Sequence, residues 1–99
     1  MKTYYIMDST IFNKAEDVVS ALMSGETILN DDANLRFKVQ KYYNKERLFV
    51  RDSFDSDDPQ NWFHINNLDF SKPEMVVKAM DKIVEDQVLH NQVVTKIEW

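Results

Sequence analysis

The chain has 99 residues, of which 43% are hydrophobic and 12% aromatic, and its formal net charge is −5. This length holds one hydrophobic core, so we expect a single domain over residues 1–99, and the apolar content excludes a disordered chain. The single glycine excludes the glycine-rich loops that bind nucleotide phosphates, and the lack of cysteine excludes disulfides and thiolate metal sites. No apolar run approaches the ~20 residues that span a bilayer, so we expect a cytoplasmic protein that does not bind membranes.

The first third of the chain predicts a strand, a helix and a second strand. The β-branched and aromatic run from Thr3 to Met7 predicts a strand. Asn13 and Glu16 have the spacing of a capping box, and the apolar residues behind them have the spacing of one helix face. Gly25 follows as the residue that ends the helix, and residues 27–29 predict a short strand.

Residues 35–54 predict a β-hairpin. Leu35, Phe37 and Val39 alternate with polar residues, as in a strand with one buried face. The segment 43–46 is expected to reverse the chain, because Asn44 tolerates a positive φ. The returning strand begins at Arg47.

The second half predicts a loop over residues 52–60, a short strand over 62–65 and a long helix. Ser71 and Glu74 have the spacing of a capping box, with Pro73 in the first turn. Alternation over residues 93–99 predicts a final strand. The order β-α-β-β-β-(β)-α-β predicts a small α+β domain, a mostly antiparallel sheet with two helices packed on one face.

Positive charge is concentrated in the predicted hairpin. Residues 35–51 contain six basic residues and one acidic residue, in a chain whose totals are 12 and 17. The alternation turns part of this set outward together with two aromatic residues. The outward residues predicted to contact a partner or nucleic acid are Arg36, Lys38, Tyr42, Arg47, Phe49 and Arg51. Basic residues interleaved with aromatic rings are typical of a surface that binds single-stranded nucleic acid. The alternative is that the outward Lys and Arg side chains only keep the hairpin soluble and prevent edge-to-edge pairing with other strands.

Acidic residues form a second candidate surface. Asp55, Asp57 and Asp58 lie in the predicted loop, and Glu85 and Asp86 lie on the second helix. The loop does not have the calcium-binding register, because neither the required glycine nor the closing glutamate is present at its position. Capping of the loop by its own aspartates and recognition of a basic partner are the remaining interpretations.

The sequence contains no recognisable catalytic constellation. His64 and His90 lie far apart and have no ligand spacing, and no serine lies in a nucleophile elbow. We therefore expect a protein that is not an enzyme and that holds no metal or cofactor. Trp62 and Trp99 are candidates for a partner contact if they are exposed.

Our leading hypothesis from the sequence is a small acidic inhibitor or adaptor that occupies the surface of a protein or nucleoprotein partner. Phages and plasmids use proteins of this size and charge against host nucleic-acid enzymes, anti-CRISPR proteins among them, and the analogy is one of general character. The alternative is a module that binds single-stranded nucleic acid through hairpin 35–51. A homodimer formed by pairing of an exposed strand is a third hypothesis.

Overall fold

One antiparallel sheet with two helices on one face makes up the computed structural model, which describes residues 5–7, 10–31, 33–65 and 68–89. The strands are β1 (Tyr5–Met7), β2 (Thr10–Phe12), β3 (Ile28–Asn30), β4 (Leu35–Tyr42), β5 (Lys45–Asp52) and β6 (Phe63–Ile65). The helices are α1 (Ala15–Met23) and α2 (Pro73–Leu89). The strand order in the sheet is β2-β1-β3-β4-β5-β6.

The predicted α+β class and the antiparallel sheet are confirmed. The sheet also contains β2, a short strand that the sequence did not predict and that pairs with β1. The final strand predicted over residues 93–99 lies outside the described residues. Neither helix in the described part of the chain is long and apolar enough to cross a membrane.

The hydrophobic core lies between the sheet and the two helices. Phe37 is fully buried and pairs with Ile28 on one side and with Val50 on the other. Helix α1 contributes Val18, Val19 and Leu22 to this core, and α2 contributes Val76, Met80, Ile83 and Val84. Because side chains alternate along a strand, the residues between these buried ones point to the opposite face of the sheet, which we call the outer face.

Both predicted capping boxes are wrong. Helix α1 begins at Ala15 after Lys14, and no side chain of the described residues caps it. Before α2, the Ser71 hydroxyl donates to Asp69 Oδ1 and the carbonyl of Lys72 accepts the first helical bonds. Asp69 thus forms a turn of its own with Ser71, and these hydrogen bonds lower the pKa of the Asp69 carboxyl.

The predicted end of α1 is confirmed. Gly25 has φ +89°, and its N–H donates to the carbonyl of Leu22. A left-handed residue just past the last turn satisfies a free carbonyl of the helix. Gly25 therefore allows the chain to turn into β3.

Candidate binding site on the outer face of the sheet

The β4–β5 hairpin places a set of basic residues on the outer face. The strands pair from Leu35↔Asp52 to Tyr42↔Lys45, so the predicted inward and outward sets are confirmed. The outward residues are Arg36, Lys38, Gln40 and Tyr42 on β4, and Lys45, Arg47, Phe49 and Arg51 on β5. None of these outward residues is acidic.

A tight two-residue turn fixes this register. Tyr43 has φ +53° and Asn44 has φ +62°, and positive φ at both central residues is the geometry of a type I′ turn. Such a turn matches the twist of the flanking strands. The positive φ expected at Asn44 is confirmed, whereas the same conformation at Tyr43 was not predicted.

Strand β6 adds aromatic residues to the outer face. His64 is paired with Phe49, so it lies on the same face as the hairpin cations. Trp62, just before β6, lies next to two of these cations: Lys38 Nζ is 4.2 Å and Arg51 Cζ is 5.1 Å from the centroid of its ring. Both distances allow cation–π attraction.

Trp62 is 8% exposed because the neighbouring side chains and the loop cover it. Its indole N–H donates to Asp57 Oδ1 at 2.9 Å, and the same oxygen lies 3.6 Å from Arg51 Nε. The Arg51 guanidinium also donates to the carbonyls of Asp52 and Asp55. Arg51 is therefore a residue that anchors the 53–62 loop to the sheet.

A second aromatic group surrounds Phe49. The Tyr42 ring centroid is 6.3 Å from that of Phe49 and 5.2 Å from that of His64, and Arg47 Cζ lies 5.4 Å from that of Tyr42. Phe49 is 8% exposed, so the outward aromatic residue named from the sequence is covered. Tyr42 is 40% exposed, and its ring is therefore accessible to a partner.

Tyr42 also contacts its neighbour in the turn. The centroids of the Tyr42 and Tyr43 rings are 4.5 Å apart in an edge-to-face arrangement. A hydrogen bond with the Tyr43 side chain raises the pKa of Tyr42. Tyr42 is thus a neutral hydrogen-bonding group at neutral pH.

Four of the outward cations have no acidic partner within the described part of the chain. Arg36, Lys38, Lys45 and Arg47 make no ion pair there, whereas Arg51 is paired with Asp57. Within the described residues, the Nε atoms of Arg36, Arg47 and Arg51 are buried and have no hydrogen-bond acceptor. Leaving a buried donor unpaired costs about 1–3 kcal/mol. These arginines therefore carry a cost in stability as well as positive charge.

Arg36 and Arg51 are direct cross-strand neighbours. Like charges opposite one another in a sheet are destabilising, by roughly 0.2–1 kcal/mol. Asp57 offsets the charge of Arg51 only in part, because the side chain of Asp57 is 77% exposed. This arrangement does not stabilise the free protein. An anion bound between the two guanidiniums would reduce the repulsion between them.

The acidic residues named from the sequence fall into two separate groups. Asp57 is held by Trp62, and Asp58 Oδ2 accepts a bond from Ser56 within the same loop. Asp55 is exposed in the same loop, and Glu85 and Asp86 are exposed on α2. Among the described residues no hydrogen bond or ion pair joins the loop acids to those of α2. Asp57 and Asp58 thus help to hold the loop in shape.

Only one of the two histidines lies in the described part of the chain. His64 lies on the outer face with its Nδ1 3.5 Å from Arg47 Nη1, and His90 lies outside the described residues. In the part of the chain that the structure describes, no three His, Asp or Glu side chains are placed to hold a metal ion.

The sequence predicts six of the residues on this face. It does not predict that Trp62 and His64 lie on the same face. Their position depends on the pairing of β6 with β5. The two strands are separated by a ten-residue connection, and no local signal predicts their register. The period-two spacing of Trp62 and His64 was the available signal, because residues two apart in a strand share a face. Nothing in the sequence distinguishes Tyr43 from an ordinary turn residue.

The chain matches no family model, and no curated protein or solved structure is significantly similar to it.

Proposed function

We propose that the protein is a non-enzymatic macromolecule-binding protein that binds single-stranded nucleic acid on the outer face of its sheet. The observation that carries the proposal is the set of outward cations that have no acidic partner among the described residues: Arg36, Lys38, Lys45 and Arg47. Phosphate is the anion that lysine and arginine neutralise in nucleic acids, and each such contact releases counterions.

The spacing of the cations suits an extended ligand. Arg36 and Lys38 are two residues apart on β4, which corresponds to ~7 Å along the strand, and Arg47 and Arg51 continue the charge on β5. A strand of nucleic acid lying along the hairpin meets successive cations. Exposed Tyr42 supplies a ring for a base beside this row.

The acidic-inhibitor hypothesis remains a second proposal. Its support is the exposure of Glu85 and Asp86 on α2, together with the net charge of −5. A surface of this kind would compete for the basic channel of a nucleic-acid enzyme, as in the phage and plasmid inhibitors to which the chain is analogous in size and charge. It receives less support, because Asp57 and Asp58 bond within their own loop.

The proposed function is tested by titrating the protein with a fluorescent oligothymidylate of about ten nucleotides, which falls within the usual range of single-strand site sizes. Four unpaired cations predict that the logarithm of the binding constant falls with the logarithm of the salt concentration with a slope of about −3. Affinity should therefore fall roughly 50-fold between 50 and 200 mM salt. Lys38→Gln and Arg47→Gln should each reduce this slope by about 0.7. Lys82→Gln removes an exposed lysine on α2 and serves as the charge-matched control.

The result that contradicts the proposal is the absence of binding to DNA and RNA oligonucleotides at ~50 mM salt. The proposal would also be contradicted if Lys82→Gln and Lys38→Gln reduced the affinity equally. Overall charge, and not the outer face, would then be responsible for binding. If charge reversal at Glu85 and Asp86 instead abolishes capture of a basic nucleic-acid enzyme, the inhibitor hypothesis is favoured.

A further inference from the structure

Tyr43 at the tip of the β4–β5 hairpin has an unusual backbone conformation. Its φ of +53° lies in the left-handed region, which side chains other than those of glycine, asparagine and aspartate rarely adopt. The first central position of a type I′ turn is normally occupied by Asn, Asp or Gly. A bulky aromatic residue is therefore a poor choice for forming this turn.

Packing does not explain the tyrosine. The side chain is 82% exposed, and Tyr42 is the one ring that contacts it in the described part of the chain. Burial of an aromatic ring is what normally outweighs backbone strain, and it is nearly absent here. The structure thus holds an exposed ring at a cost to its own stability, a pattern that points to a contact with another molecule.

The position of the ring identifies the kind of molecule. Tyr43 is the exposed end of a line of aromatic contacts that passes through Tyr42 to Phe49 and His64 on the outer face. Arg47 lies against Tyr42 within this line. A ring beside phosphate-binding cations is placed to stack on a nucleobase.

We infer that Tyr43 is a base-stacking residue, which receives an unpaired nucleobase on its exposed ring at the end of the cationic face. The inference rests on the proposed function and adds a second base-stacking ring, beyond Tyr42, at the tip of the hairpin. A phosphate polymer without bases would therefore bind less tightly than a single strand of the same charge.

The test compares a ten-nucleotide oligothymidylate with an abasic oligonucleotide of equal length, which carries the same phosphates. Tyr43→Asn should weaken binding of the oligothymidylate about fivefold or more and leave binding of the abasic strand unchanged. Its melting temperature should rise, by roughly 4 °C, since asparagine suits the left-handed position. Tyr43→Phe keeps the ring and should bind as the wild type does, whereas Arg36→Gln should weaken both ligands equally.

Two results would overturn the inference. Equal affinity of the wild type and Tyr43→Asn for the oligothymidylate would show that no base stacks there, although binding that depends on Arg36 would leave the proposed function intact. A fall in the melting temperature of Tyr43→Asn together with lost binding of both ligands would make Tyr43 a structural residue of the turn. If the wild type binds neither ligand, the proposed function itself fails.

Discussion

Replacing Arg36 with glutamine should weaken binding of nucleic acid and stabilise the fold. Arg36 lies directly across from Arg51, and its Nε is buried without an acceptor. Glutamine keeps most of the aliphatic stem on the sheet but removes the charge and the guanidinium donors. The two effects of one substitution therefore have opposite signs.

The magnitudes follow from the geometry. Relief of the cross-strand repulsion contributes about 0.2–1 kcal/mol, and removal of the unpaired buried donor contributes about 1 kcal/mol or more. Loss of part of a half-buried stem offsets this by about 0.5 kcal/mol. We expect a net gain of about 1 kcal/mol in the free energy of unfolding. One hydrogen bond to a charged phosphate is worth ~1.5 kcal/mol, so affinity should fall about tenfold.

Urea denaturation measures the change in stability, and titration with the oligothymidylate measures the change in affinity. Lys82→Gln on α2 should leave both quantities close to their wild-type values. If Arg36→Gln decreased the free energy of unfolding, Arg36 would stabilise the sheet, and the proposed cross-strand repulsion would be wrong. Unchanged affinity would remove Arg36 from the binding surface.

Further predictions concern the loop, the helix end and the turn before α2. Asp57→Asn keeps an acceptor oxygen in the loop but removes the carboxylate beside Arg51, so affinity for the oligothymidylate should rise by up to about fivefold, and a loss of affinity would contradict this account. Gly25→Ala should reduce the free energy of unfolding, measured by urea denaturation, by about 1 kcal/mol, because alanine is strained at a positive φ. A steric clash does not contribute, since a Cβ at this position meets no atom within 4 Å. The hydrogen bonds from Ser71 lower the pKa of Asp69, so their contribution is present above the ordinary carboxyl pKa of about 3.9 and is lost as the pH falls below it. The stability difference between wild type and Ser71→Ala should therefore shrink between pH 6 and pH 3, and a difference that grows would contradict the assignment.

The hairpin was predictable from sequence because its information is local. Alternation of apolar and basic residues determines which face of β4 and β5 each side chain occupies, and the tight turn keeps the strands in register. The third strand of the outer face was less predictable, because Trp62 and His64 reach the cations only through the pairing of β6. Burial of Phe49 likewise depends on rings contributed by Tyr42 and His64.

The helix starts show where local signals compete. Asn13 to Glu16 and Ser71 to Glu74 both have capping-box spacing, yet α1 has no side-chain cap and Ser71 donates to Asp69 instead. Serine and aspartate form such turns as readily as they cap helices. Strand β2 was missed because three residues are too few to show a period.

Mapping of amide chemical shifts locates directly where single-stranded nucleic acid binds the protein. Nitrogen-15-labelled protein is titrated with the oligothymidylate at ~50 mM salt, where the binding of phosphates is strong. We expect the largest shifts on β4, β5 and β6 around Arg36, Lys38, Arg47 and Trp62, and on the turn at Tyr43. Shifts confined to α2 near Glu85 and Asp86, or no shifts at saturating oligonucleotide, would show that nucleic acid does not bind the outer face.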